Sequence, residues 1–115
     1  MKKTTNLLEV QHALAQEETV ILYLSMPNCS VCHAVLPRFE HLLSHYDFPS
    51  FHLDVAKTPE VASVFQILTA PAILIYHKNK EVARQARFID FQSLENLLNQ
   101  LSSIDETLSY DKLFD

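Results

Sequence analysis

The chain of 115 residues contains no glycine, where average usage of about 7% would supply roughly eight. Phosphate-cradling loops and dinucleotide fingerprints are thereby excluded, because their glycines let the backbone approach a phosphate closely. Any left-handed turn falls instead to Asn or Asp, such as Asn79 in Lys78-Asn79-Lys80. Clustered positive charge is also missing. Nine Lys and Arg are scattered among fourteen Asp and Glu, for a net charge of -5. Nucleic acid, held mainly through neutralised phosphates, is therefore not an expected partner. No apolar run approaches the ~18 residues of a membrane span. Met1-Lys2-Lys3 looks like the start of a secretory signal, yet no apolar stretch of about 7–15 residues follows. Glu9, His12, Glu17 and Glu18 interrupt it, and Val20–Leu24 is too short. The expectation is a cytoplasmic protein with no membrane attachment.

What is present is enough for one domain, 1–115, with a core over about 5–102 and an acidic extension over 103–115. Apolar residues make up 48% of the chain. A chain of this size builds its core without staples, which become necessary below roughly 40 residues. Its two cysteines thus point to chemistry before structure, and in a reducing compartment a Cys pair is more often catalytic or metal-binding than structural. Both lie in Met26-Pro27-Asn28-Cys29-Ser30-Val31-Cys32-His33. Three chemistries fit these letters: a CxxC redox dithiol, a CxxCH haem attachment site, and half of a zinc site completed by downstream histidines.

Periodicity orders the elements around that segment. Asn6 to Gln16 reads as a capped helix with Leu7, Val10 and Leu14 on one face. Thr19–Ser25 is a continuous apolar run, typical of a strand buried on both faces. Val35, Phe39, Leu42, Leu43 and Tyr46 recur at helical spacing after the cysteines, with Pro37 inside that helix. Phe51–Val55 alternates as a half-covered strand. Thr58 and Pro59 read as N-cap and first residue of a helix whose inner face is Val61, Val64, Phe65 and Leu68. Ala72–His77 is a second buried strand, a turn at Asn79 follows, and the polar Glu81–Ile89 reads as an edge strand. Asp90 caps a last helix with Phe91, Leu94, Leu97, Leu98 and Leu101 facing in. From about Ser103 no strong pattern remains, beyond leucines that suit a short extra turn. The order is α-β-α-β-α-β-β-α, an α/β fold with helices on both faces of a four-stranded mixed sheet.

With these motifs in place, the chain resembles thioredoxin-like proteins over roughly residues 5–102, and the short, divergent bacterial ones most closely. Cys29-x-x-Cys32 follows an apolar strand and opens a helix, and Pro37 lies five residues beyond the second Cys. Thr69-Ala70-Pro71-Ala72-Ile73-Leu74-Ile75 sets a proline just before the next central strand, where the family has its cis-proline. The departures are equally specific. The usual WCGPC is here Asn28-Cys29-Ser30-Val31-Cys32, Tyr23 stands where housekeeping members have a buried Asp, and the first N-terminal strand is absent.

The resemblance implies a thiol–disulfide oxidoreductase with no cofactor beyond a redox-active Cys29–Cys32 disulfide. Cys29 would attack, favoured as a thiolate by free N–H groups and the helix dipole, and Cys32 would resolve the mixed disulfide. Ala70 and Pro71 would bind an extended substrate strand. Tyr23, Ser30, Val31 and His33 would modulate the site. Expected partners are disulfide-containing proteins or small disulfides and an upstream reductant, with the chain a monomer.

The other chemistries meet specific obstacles. Haem needs export and an axial ligand opposite His33, and Met26 is too close to the motif to cross to the other haem face. For zinc, Cys29, Cys32, His41 and His45 give C-x₂-C-x₈-H-x₃-H, shorter in the middle than the finger pattern, with ligands spread along one helix. No metal is expected. A different class remains open, a thioredoxin-fold binding module without redox turnover. His12, His52 and His77 read as ordinary surface or edge residues, and Asp54 as a strand-end turn residue.

Overall fold

The computed structural model describes residues 1–114, with side chains described over 1–104. Nine elements follow in order: β1 Lys2–Lys3, α1 Leu7–Gln16, β2 Thr19–Ser25, α2 Ser30–Leu43, β3 Ser50–Asp54, α3 Glu60–Val64, β4 Ala72–His77, β5 Lys80–Ala86 and α4 Phe91–Phe114. They build a mixed sheet in the order β1-β3-β2-β4-β5. The fold is thioredoxin-like, but the sheet has five strands rather than the expected four. The added strand is Lys2–Lys3, running parallel to β3 against Phe51 and His52. Two lysines carry no apolar alternation; backbone pairing alone makes them a strand.

β2 lies at the centre, parallel to β3 and antiparallel to β4, and all seven of its residues are buried. Alternation then splits the core in two. Val20, Leu22 and Leu24 meet Val10 and Leu14 of α1 and Val61 of α3 on one face. Ile21 and Tyr23 meet Phe39 of α2 and Leu94, Leu98 and Leu101 of α4 on the other. Phe51 and Leu53 belong to the first face, so the β3 residues between and beyond them, His52 and Asp54, turn towards α2.

Local capping holds α1 and α4 as expected: Asn6 accepts the Glu9 N–H at 3.2 Å, and Asp90 accepts that of Ser93 at 3.1 Å. Thr58 does not cap α3. It is buried and donates its hydroxyl to the Thr5 carbonyl at 3.2 Å, while Pro59 occupies the cap without a side-chain bond. Only five residues long, α3 buries Val61, whereas Val64 is 46% and Leu68 96% exposed. Its helical stripe ends early because Gln66 turns left-handed at φ 55°.

Without glycine, five of the described residues take positive φ: Asn28, Gln66, Lys78, Asn79 and Arg87. Asn79 is among them as expected, but Gln, Lys and Arg share the task. Arg84 fastens one such bend, donating to the carbonyls of Phe65 at 2.6 Å and Gln66 at 2.9 Å while paired with Glu81. The edge strand β5 stops at Ala86 rather than Ile89, ahead of the left-handed Arg87. The last helix continues to Phe114 instead of ending near Leu101, since no Gly or Pro interrupts 102–114. How the leucines of that extension pack lies outside the described residues. No helix among the described residues is long and apolar enough to cross a membrane.

Candidate functional site

The carboxyl end of β2 delivers the chain through Met26, Pro27 and the left-handed Asn28 to Cys29, which is the N-cap of α2. Its Sγ accepts the Cys32 N–H at 3.1 Å. Cysteine thereby takes the place usually held by a Ser or Asp oxygen at a helix start. Cys29 and Cys32 are joined as a disulfide, with Cα atoms 5.2 Å apart. The two sulfurs differ in access. Cys29 is partly exposed, whereas Cys32 sits one turn deeper at 3% exposure. Ser30, Val31 and His33 are exposed around them.

Beneath Cys32 lies Tyr23, fully buried and stacked on Phe39 with ring centroids 5.9 Å apart. Its hydroxyl donates to the Cys32 carbonyl at 2.6 Å. Burial pushes the Tyr23 pKa up to about 12, so the phenol stays protonated at neutral pH and acts as a fixed donor. It ties the start of α2 to the central strand.

His52, expected to be an ordinary surface or edge residue, is half-buried in this layer. Its ring meets that of Tyr23 edge-on at 5.2 Å, and its Nε2 lies 2.7 Å from the hydroxyl of the buried Ser25. Burial lowers its pKa below the ordinary imidazole value. Lys3 lowers it further, while Asp54 and Glu40 pull the other way. A cavity of about 90 Å³ joins these groups; Cys32, Tyr23, Ser25, His52, Asp54 and Lys3 all line it. The signal for His52 was in the sequence: the alternation of Phe51-His52-Leu53-Asp54 sets His52 opposite the face of Phe51 and Leu53. It needed the register Tyr23↔His52 to show what it faces. Asp54 behaves as a turn residue, accepting the Ala56 N–H at 2.8 Å.

The Ala70–Pro71 peptide is cis. The antiparallel register Leu24↔Ala72 brings Pro71 to the end of the sheet from which β2 leads to the cysteines. The Arg87 N–H bonds the Pro71 carbonyl at 2.7 Å, fixing that loop to the end of β5. Exposed apolar side chains border this end: Met26 and Val31 beside the disulfide, Leu68 before the proline, and Phe88 after β5. The histidines weighed as zinc ligands lie elsewhere. His41 and His45 pack edge-to-face at 5.3 Å in a groove between α2 and α4 whose lining includes no cysteine. No group of three or more His, Cys, Asp or Glu suited to a metal ion occurs among the described residues.

The thioredoxin family model matches residues 2–102. The chain is 33% identical over 112 residues to the thioredoxin-like protein YdfQ of Bacillus subtilis, covering 92% of this chain and 98% of that one. A thioredoxin of Mycoplasmoides gallisepticum is 25% identical over 99 residues, covering 85% of this chain and 99% of its own. Among solved structures, the oxidised thioredoxin of Plasmodium falciparum superposes with a TM-score of 0.77 at 21% identity, covering 89% of this chain and 98% of that one.

Proposed function

Because this chain belongs to the thioredoxin family, we propose that it reduces disulfides of proteins or small molecules by thiol–disulfide exchange at Cys29 and Cys32. The observation that carries the reading is the unequal pair at the start of α2: a partly exposed Cys29, capping the helix, bonded to a buried Cys32. Exchange needs an accessible thiolate to attack and a second thiol near enough to displace the product. At the helix start, the Cys32 N–H and the dipole favour charge on Cys29. Cys29 attacks the substrate, Cys32 resolves the mixed disulfide, and an upstream thiol reductant restores the pair. The backbone of Ala70, beside Pro71, pairs with an extended substrate segment. The exposed Met26, Val31, Leu68 and Phe88 give its side chains apolar contacts. Tyr23, Ser30, Val31 and His33 tune the poise of the pair. The chain acts as a single-domain monomer in the cytoplasm, with no cofactor, nucleic acid or membrane involved.

The test is reduction of a protein disulfide with a small dithiol as electron donor. Cys29→Ser abolishes turnover and leaves the fold intact. Turnover that survives this change would sink the reading, and no turnover in the unmodified chain would favour a binding module without redox chemistry. An equilibrium redox titration by thiol alkylation and mass then fixes the direction of flow. A value near the roughly −270 mV of thioredoxin supports a reductant, and one above about −200 mV an oxidant or isomerase.

A further inference from the structure

Resolution of a mixed disulfide requires Cys32 to react as a thiolate, and Cys32 is buried. Its proton must therefore pass to a group inside the protein. Tyr23 cannot receive it, since its phenol is already protonated and donates to the Cys32 carbonyl. Asp54 also lines the cavity, with one carboxylate oxygen committed to the Ala56 N–H. The remaining basic groups on the cavity are His52, Lys3 and His33. Lys3 lies exposed on the edge strand β1. His33 sits exposed on α2. His52 is half-buried, has its ring held by Tyr23, and bonds through Nε2 to a buried serine.

We propose that His52, through the Ser25 hydroxyl, accepts the Cys32 proton across this cavity during resolution. The inference rests on the dithiol reading above. The cavity of about 90 Å³ has room beside these polar groups for a water, which needs only ~30 Å³ and two to four polar partners. The proton leaves Cys32 Sγ, crosses the cavity to the Ser25 oxygen, and the Ser25 hydrogen moves to His52 Nε2. The Cys32 thiolate then attacks Cys29 Sγ. A Cys32–Cys29 bond forms, the bond from Cys29 to the substrate sulfur breaks, and that sulfur leaves as a thiolate. The substrate disulfide has gained two electrons and the cysteine pair has lost them. The proton on His52 passes to solvent or to the departing thiolate. When a thiol reductant opens the Cys29–Cys32 bond, the same route returns a proton to Cys32.

The charges facing the imidazole set the pH at which this works. Lys3 of β1 favours its neutral form, while Asp54 of β3 and Glu40 of α2 favour the cation; burial outweighs them and keeps the ring neutral to lower pH. Tyr23 from β2 contributes a protonated phenol, and Cys32 and His33 from α2 complete the titratable lining. His52 is thus ready to accept a proton at neutral pH.

The experiment is a single turnover of the reduced chain with dithionitrobenzoate, which releases one coloured thiolate on attack by Cys29 and a second on resolution by Cys32. His52→Gln leaves the first release unchanged and slows the second roughly 10²-fold at neutral pH, the size of a general-base contribution. In the unmodified chain the second rate levels off above a midpoint lying below 6.5; in His52→Gln it keeps climbing into the alkaline range. Ser25→Ala slows only the second release, and His33→Gln produces no such selective loss of the second release. A second release with the same rate and pH profile in His52→Gln as in the unmodified chain overturns the proposal, as does a loss that follows His33 instead. Should His52→Gln fail to fold, an unmodified profile that rises through alkaline pH without levelling off overturns it equally. Absence of the first release would instead defeat the dithiol reading itself.

Discussion

Tyr23 and Cys32 are joined by a 2.6 Å hydrogen bond from a phenol on the central strand to a backbone carbonyl in the first turn of α2. The tyrosine stands where housekeeping thioredoxins have a buried acid, and it gives the site a donor in place of a base. Its contribution is mechanical. Tyr23→Phe removes the bond while keeping the stack on Phe39. It should cost about 1 kcal/mol, read as a lower denaturant midpoint of the oxidised chain, with disulfide exchange retained. Loss of exchange at unchanged stability would show that the phenol takes part in the chemistry.

The two sulfurs differ in access, and the proposed attacking and resolving roles follow that difference. Cys32→Ser should trap mixed disulfides through Cys29, detectable as adducts by mass, and a thiol should release them. If instead Cys29→Ser accumulates adducts through Cys32, the attacking and resolving roles are reversed.

Acid should weaken the fold in a way that depends on His52. Its folded pKa lies below the ordinary value of 6.5, so in the window between the two the unfolded chain binds more protons. Stability from this group is therefore complete above pH 6.5 and declines as pH falls towards the folded value. The unmodified chain should lose more stability than His52→Gln between pH 7.5 and pH 5, measured by urea unfolding. Equal losses would mean that burial of the ring imposes no such penalty.

Left-handed Lys78 (φ 52°) and Asn79 (φ 62°) form the turn between β4 and β5, a geometry in which hairpins favour Asn-Gly and Gly-Gly. The Lys78 N–H bond to the Glu18 carbonyl survives replacement of the side chain. Lys78→Gly should therefore stabilise by roughly 0.5–1 kcal/mol through relief of side-chain crowding. A lower melting temperature would show that its distant ion pair with Glu18, at 4.0 Å, matters more than the backbone.

Arg84 links β5 to the carbonyls of Phe65 and Gln66, upstream of Ala70 and Pro71. Arg84→Ala should destabilise by about 1–2 kcal/mol and speed amide exchange over residues 66–70. Unchanged exchange there would show that the loop is held by its own backbone bonds.

The central architecture was legible because burial on both faces writes itself as uninterrupted apolar runs. Thr19–Ser25 and Ala72–His77 have the same limits in sequence and structure, and the Cys pair falls at a helix start as its spacing implied. Elements held by backbone or tertiary bonds were not legible. Lys2–Lys3 pair through peptide groups, and Thr58 spends its hydroxyl on Thr5 instead of on its own helix. His52 was misread for a related reason. Alternation identifies a polar face but cannot reveal that this face is covered by α2 and bounded by Tyr23 and Ser25.

One consequence follows from Cys29 capping its own helix. In the proposed exchange, the acceptor for the Cys32 N–H, Cys29 Sγ, is also the sulfur that gains and loses electrons. In the disulfide that sulfur is a weak neutral acceptor; as a thiolate it becomes a charged and far stronger one. Reduction therefore tightens the first turn of α2, and attachment of a substrate slackens it again. A single backbone proton, that of Cys32, serves as a built-in gauge of electron occupancy.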